Sequence, residues 1–346
     1  FSTSFSLSEV VYSIDKLRSR PIISIKPKKI ERFATPGGIE RLLTYIGPGV
    51  NTAGGDQGSA YSVRGGNFDE NLVYVNGIEV YRPFLVRGGQ QEGLSVINGD
   101  LVEDINFSAG GFQAKYGDKL SSVLDITYRQ PDSFRATYQA SFLGANIHLE
   151  DKIGNRFSYL FGARYRSNQY LLGSLDVQGD YQPRFYDVQA LVEYRITQDL
   201  SVSYLTTLAQ NRYLVAPESR QTSFGGINNA LSLYVGFGGQ ELMEYTTWMN
   251  GLNLEYKPSD VLNLSLNTSS YTTSEREHFT VEGAYRLSEL DNNLGSEDFA
   301  QEKALLGIGY FIDHARNDLQ AQVYAANHKG RYLRKKSNIE WGVGYT

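Results

Sequence analysis

From Phe134 onward, apolar and polar positions alternate with a period of two. Ala136, Tyr138, Ala140 and Phe142 fall on one phase, and Arg135, Thr137, Gln139 and Ser141 on the other. Phe157, Tyr159, Phe161, Ala163 and Tyr165 oppose Ser158, Gly162, Arg164 and Arg166. Val188 to Ile196 and Leu262 to Leu266 repeat the pattern, as does Ile339 to Tyr345. Side chains of a strand point to opposite faces in turn, so each run predicts a strand with one apolar and one polar face. The predicted strands are 134–142, 145–151, 156–167, 184–196, 200–211, 242–257, 260–272, 304–313, 319–328 and 337–346. Their links alternate in length. Asp151 to Asn155, Thr197 to Asp199, Lys257 to Asp260 and Asp313 to Asp318 are short; Ser167 to Pro183, Asn211 to Glu241 and Thr272 to Lys303 are long and polar. Short turns at one end and long loops at the other are the pattern of a transmembrane β-barrel, in which only alternate residues face lipid.

The first part of the chain is patterned differently. Ile22 to Ile25 predicts a strand. Ile39, Leu42, Leu43 and Ile46 lie on one face of a helix, which the run Gly47-Pro48-Gly49 stops. Leu72 to Val75, then Asn76-Gly77, then Ile78-Glu79-Val80 predict a tight hairpin, since Asn-Gly accepts the positive φ of a type I′ turn. The fold class expected is an α+β domain followed by antiparallel barrel strands. The division expected is an N-terminal segment 1–20, an α+β domain 21–132 and barrel strands 133–346, the last two meeting near Pro131.

Composition sharpens this picture. The 25 tyrosines and 35 glycines suit β architecture. With no cysteine and only 4 scattered histidines, no disulfide framework, metal site or cofactor is expected. The net charge of -5, with acids and bases mixed, argues against a nucleic-acid partner. Mean hydropathy is -0.36 and no apolar run could form a membrane helix, a test that a barrel evades. Serines, histidines and carboxylates form no acid–base or nucleophile pattern, and the paired glycines lack the context of a phosphate loop. No enzymatic activity is expected.

Several motifs, in order, resemble the TonB-dependent outer-membrane receptors and transporters of Gram-negative bacteria. Leu43 through Pro48-Gly49-Val50 looks like the plug helix and its exit, and Val63-Arg64-Gly65 like the plug's Val-Arg-Gly. Tyr74-Val75-Asn76-Gly77-Ile78 is similar to its hairpin, with Asn in place of Asp. Val102-Glu103-Asp104-Ile105, Tyr116-Gly117 and Ser121 to Ile126 resemble the closing plug motif. The resemblance implies a plug inside a barrel of about 22 strands, of which about ten are present. It implies a location in the outer membrane, in contact with its lipid, and uptake of a ligand driven by a TonB-like inner-membrane coupling protein. Glu9, Val10 and Val11 fall where the energy-coupling segment would lie. Two alternatives stand beside it: a plugged barrel within a secretion or surface-assembly complex, with a surface lipoprotein or secretion partner, whose sequence texture would look the same, and a soluble β-rich binding protein, against which the alternation of short and long links counts.

Three groups of side chains follow as expectations. Arg64, set among apolar and glycine residues, needs a partner; Glu193 or Glu255 on the lumen-facing phase would lock plug to barrel through a two-pronged ion pair. Tyr81, Arg82, Phe84, Arg87, Gln90 and Gln91 mix aromatic and hydrogen-bonding groups that suit a ligand-facing plug loop. Phe161 and its apolar neighbours face lipid, while Arg164 on the polar phase is expected to tolerate change.

Overall fold

The computed structural model describes residues 22–25, 39–52, 60–81, 95–110, 112–113, 115–167, 179–226, 229–334 and 337–346. The N-terminal domain holds β1 (Ile22–Ile25), α1 (Glu40–Ile46), β2 (Val50–Thr52), β3 (Tyr61–Val63), β4 (Asn71–Val75), β5 (Ile78–Glu79), β6 (Val102–Ala109) and β7 (Ser122–Tyr128). Five of these strands form a mixed sheet in the order β1-β6-β7-β4-β5, with β4 parallel to β7. The predicted helix and hairpin both form. Gly47 closes α1 by donating its N–H to the Leu43 carbonyl at 2.7 Å. Asn76 and Gly77 adopt φ of 49° and 78°, the double positive φ that a type I′ turn requires. Asn76 is bound on both sides: its N–H donates to the Ile126 carbonyl, and its side-chain oxygen accepts from the Tyr128 N–H at 2.7 Å. An amide at this position therefore fixes the hairpin to β7 as well as allowing the turn.

The wall is one antiparallel sheet. It runs β8 (Arg135–Ser141), β9 (Gly144–Ile153), β10 (Phe157–Arg166), β11 (Gly179–Arg195), β12 (Leu200–Pro217), β14 (Asn229–Ser259), β15 (Leu262–Leu290), β16 (Glu302–Arg334) and β17 (Ser337–Tyr345). The short β13 (Arg220–Gly226) pairs with the outer part of β14. The total of ten strands equals the expected number, but by two compensating differences. The predicted strands 304–313 and 319–328 are one strand, β16, paired with β15 straight through Asp313 to Asp318. The charged residues there are ladder positions, not a turn: Asp318 sits opposite Arg276 and bonds it at 3.3 Å. Residues read as long polar links, 211–241 and 272–303, are largely strand, because hydrated strands need not be apolar on either face. The turn expected at Gly144 to Asn146 lies instead at Phe142-Leu143. The links β9–β10, β11–β12 and β14–β15 at one end are short as expected, but β8–β9 at the other end is short as well, so the alternation in link length begins only after β9.

A strand crosses a membrane in about 9–11 residues. β14, β15 and β16 have 31, 29 and 33 residues, so they project far beyond the bilayer on the side of the long links. The outward phase is the expected one, with Tyr138, Phe142, Tyr165, Val188, Tyr194, Leu208 and Trp248 exposed. No helix among the described residues is long and apolar enough to cross a membrane; strands do the crossing. Phe161→Arg is expected to destabilise the folded protein by about 2–4 kcal/mol near mid-bilayer. Unfolding in lipid vesicles would test this, and a loss no larger than that of a loop substitution such as Glu218→Arg would contradict a lipid-facing β10.

Candidate functional site

The inward phase is not simply polar. Leu160, Leu191, Leu205, Met249 and Tyr271 point inward and join the same hydrophobic cluster as Leu43, Tyr61, Val73, Val75, Phe107, Leu124 and Ile126 of the N-terminal domain. The domain sits against this belt. Two wall glycines let it approach: a Cβ at Gly162 would stand 2.7 Å from Asn98 Nδ2, and one at Gly251 would overlap Ile78, beside the hairpin turn. Tyr81 packs its ring edge-on to Tyr271 of β15 at 5.5 Å between centroids.

A polar node lies beside the belt. The backbone of residues 95–98 and the single 3-10 turn Gly99–Leu101 run close to β10 and β11. Arg164 projects inward from β10 and is 7 % exposed. Its neighbour across the ladder, Asp187 of β11, is 1 % exposed. Arg164 Nε and Nη2 donate to the two carboxylate oxygens of Asp187 at 2.9 and 2.7 Å, a two-pronged pair. Nη1 also donates to the Ile97 carbonyl at 2.9 Å, and Nη2 to those of Ser95 and Val96 at 3.1 Å. The guanidinium stands 5.4 Å from the Phe185 ring centroid. Gln189, two residues along β11, donates to the Val96 carbonyl at 2.6 Å and to Asp187, and accepts from the Tyr128 hydroxyl. One wall arginine therefore satisfies three carbonyls of a segment that leaves its own sheet, while Asp187 neutralises it. A buried guanidinium needs both partners.

A second node flanks it. Asn146 of β9 donates to Asp100. His148 and Glu150, both buried on the same face of β9, bond each other at 3.0 Å; Arg135 of β8 reaches Glu150 at 3.3 Å, and Thr137 bonds His148.

The expected lock between Arg64 and the wall does not form. Arg64 is exposed, in a left-handed turn with φ of 51°; its side chain lies over Gly49, with its guanidinium beside Gly110. Among the described residues no ion pair joins it to Glu193 or Glu255. Glu255 instead pairs with Lys257 at 2.9 Å and accepts from Asn263 at 3.0 Å. The glycines around Arg64 serve the turn and the stem of the arginine. Arg164, expected to tolerate change, holds the position that Arg64 was expected to hold. Glu9, Val10, Val11, Arg82, Phe84, Arg87, Gln90 and Gln91 lie outside the described residues.

The family model of the TonB-dependent Receptor Plug Domain matches residues 16–122. The chain carries a TonB-dependent receptor plug. Its location is the outer membrane of a Gram-negative bacterium. Solved structures similar to the chain include the siderophore receptor PirA from Acinetobacter baumannii, at 12% identity over 97% of this chain and 58% of that one, with a TM-score of 0.47. A mutant of the ferric enterobactin receptor PfeA from Pseudomonas aeruginosa, with enterobactin, is 12% identical over 94% of this chain and 57% of its own, with a TM-score of 0.45. The outer membrane transporter YddB from Escherichia coli is 11% identical over 94% and 56%, with a TM-score of 0.45. The chain thus spans less than two thirds of the length of the solved structures it resembles. No curated protein matches it.

The plug hairpin carries a titratable group of its own. Burial pushes the Glu79 carboxyl above its usual range and Asp118 adds to this, while Lys119 opposes. An acid with a raised folded-state pKa ionises more readily in the unfolded chain, so plug stability falls as pH rises from the ordinary carboxylate value through the raised one. Glu79→Gln is expected to flatten that slope and to leave the plug more stable than wild type at neutral pH. Thermal unfolding from pH 4 to pH 8 would show it; parallel pH profiles would refute it.

Proposed function

We propose that the chain is the plug and part of the barrel of a TonB-dependent outer-membrane transporter, which takes up a ligand when an inner-membrane TonB-like protein pulls on the N-terminal segment. The observation that carries this reading is the seat of the plug. Residues 95–101 are held to β9, β10 and β11 by hydrogen bonds around Arg164, Gln189 and Asn146, and the apolar belt packs against the plug core. Such contacts are tight at rest and have no covalent component, so they can break under force and re-form. The plug loop around Tyr81 and Arg82 remains our proposal for a ligand-facing element.

The test is energised uptake. Cells with and without the protein would be offered labelled chelated iron, cobalamin, an oligosaccharide and a peptide, with and without a protonophore. Accumulation of one class that needs the protein and stops with the protonophore is expected. Entry insensitive to the protonophore, or no class dependent on the protein, would overturn transport.

A further inference from the structure

On β14, β15 and β16 the phase turned away from the plug continues far above the exposed band. Trp248, Leu252, Leu254 and Leu266 belong to that phase within the band, while Met249 and Tyr271 face the plug. Two residues at a time, the same face climbs β14 to Glu244 and on to Gly236 and Tyr234. Glu244 pairs with Arg212 of β12 and with Arg276 of β15, each at 3.2 Å, charges that a hydrocarbon layer does not accept. The strands have therefore left the bilayer at that height, on the side of the long links. Gly236 lies about eight residues further on, roughly 25 Å along the strand at ~3.3 Å per residue.

There the face opens into a groove of about 520 Å³, lined chiefly by Tyr234, Ala284, Arg286, Ile308 and Tyr310. Gly236, Ala284 and Tyr310 share one rung of the ladder; Tyr234, Arg286 and Ile308 share the next. β15 is paired on both sides along this stretch, so the ladder and not a sheet edge sets the floor. The Tyr234 ring lies over Gly236, where a Cβ would stand 3.0 Å from Tyr234 Cε1. Tyr234, Ile308 and Tyr310 are exposed. The polar groups of the rim are already held in place. The Arg286 guanidinium stands 5.8 Å from the Tyr234 ring centroid and donates to Glu302 at 2.8 Å, and the Tyr310 hydroxyl bonds Glu282.

Exposed apolar surface gathered around a few fixed polar groups marks a ligand groove. Its chemistry selects the ligand. A sugar ring has C–H faces that pack on aromatic rings and a rim of hydroxyls that bond arginine and carboxylates. A phosphate is disfavoured, because Glu302 neutralises Arg286 and Glu282 adds a second negative charge. The position selects the source. A solute passing through the barrel follows the inward phase and does not meet this groove. The phase that faces lipid below faces, at this height, whatever stands on that lipid. In the outer membrane of a Gram-negative bacterium this is the sugar chain of the outer-leaflet glycolipid.

We propose that the groove binds a neutral sugar ring of the surrounding outer-leaflet glycolipid. Tyr234 and Tyr310 pack against the ring, and Arg286, Glu282 and Glu302 bond its hydroxyls. The contact moors the projecting strands in the sugar layer. It rests on the outer-membrane location and not on the transport reading.

Native mass spectrometry of the full-length protein in detergent, offered three probes in turn, tests this. The probes are lipopolysaccharide that carries its core sugars, lipid A stripped of those sugars, and maltoheptaose as a soluble neutral glycan. The protein is expected to retain the core-bearing lipid at least about 5-fold more than lipid A. Ala284→Trp, which fills the floor from an exposed position, and Tyr310→Ala are each expected to remove most of that preference and to leave retention of lipid A unchanged. Equal retention of the two lipids, or a preference that survives both substitutions, would overturn the site. If the two lipids are retained equally and maltoheptaose binds in a Tyr310-dependent way, the occupant is a soluble glycan and the glycolipid is overturned. Uptake plays no part in this readout, so its failure reads separately from failure of transport.

Discussion

Arg164→Ala is expected to release residues 95–101 of the plug from the wall and to destabilise the folded protein by about 3–5 kcal/mol, the usual cost of stranding one half of a buried ion pair. The reason is local. Asp187 would keep its charge at 1 % exposure with only Gln189 to bond it, and the carbonyls of Ser95, Val96 and Ile97 would lose their shared donor. Arg164→Lys is expected to rescue little, because an ammonium cannot fork onto a carboxylate and still reach three carbonyls. Arg164→Ala combined with Asp187→Ala should be less damaging than Arg164→Ala alone, since no charge is left behind. Arg64→Ala is the comparison: an exposed arginine without an ion pair among the described residues should change stability by less than about 0.5 kcal/mol. Deuterium exchange at the amides of 95–101, with urea unfolding, reads both effects. Unchanged exchange there in Arg164→Ala would show that the seat of residues 95–101 does not depend on Arg164.

The contrast between the two arginines marks how far the sequence could be read. Local signals were legible where short-range physics decides the structure. The Asn76-Gly77 turn, the helix ended at Gly47 and the two-residue alternation of β8 to β11 all follow from constraints within a few residues. The strand phase also placed Arg164 on the inner face. Its partner was not legible. Arg164 meets Asp187 only because β10 and β11 pair in one register across a long link, and a long link does not fix register.

The outer halves of β14 to β16 were misread for a related reason. Strands that leave the bilayer are wet on both faces, so Glu275, Arg276, Glu277 and His278 in succession look like loop. The pairing of Arg276 with Glu244 and Asp318 across three strands gives those charges a place in the ladder. The inward belt was hidden because alternation is an average. Leu160, Leu191 and Leu205 break the polar phase of their strands, and each break marks a point where the wall meets the plug. Apolar residues on the phase expected to be wet were the available signal for the plug's seat.

Phe107→Ala should open the same structure by a different route. Phe107 lies at the centre of β6 with no exposed surface, its ring 6.3 Å from that of Tyr61 in an edge-on contact and hard against the backbone of Gly47. It therefore joins the central sheet, β3 and the end of α1. Removing a fully buried phenylalanine typically costs about 3–5 kcal/mol, from lost transfer energy and the cavity left behind. The wall strands keep their ladders in the variant, since nothing in β8 to β17 pairs with β6. The expected result is a plug cut rapidly by protease inside a wall that keeps its strand signal and its resistance to heat in detergent. Arg164→Ala should give the opposite pattern, an intact plug that is undocked at 95–101. Loss of the wall together with the plug in Phe107→Ala would show that the shared cluster of Leu160, Leu191, Met249 and Tyr271 with the plug core makes the two a single folding unit, and would refute a division near Pro131.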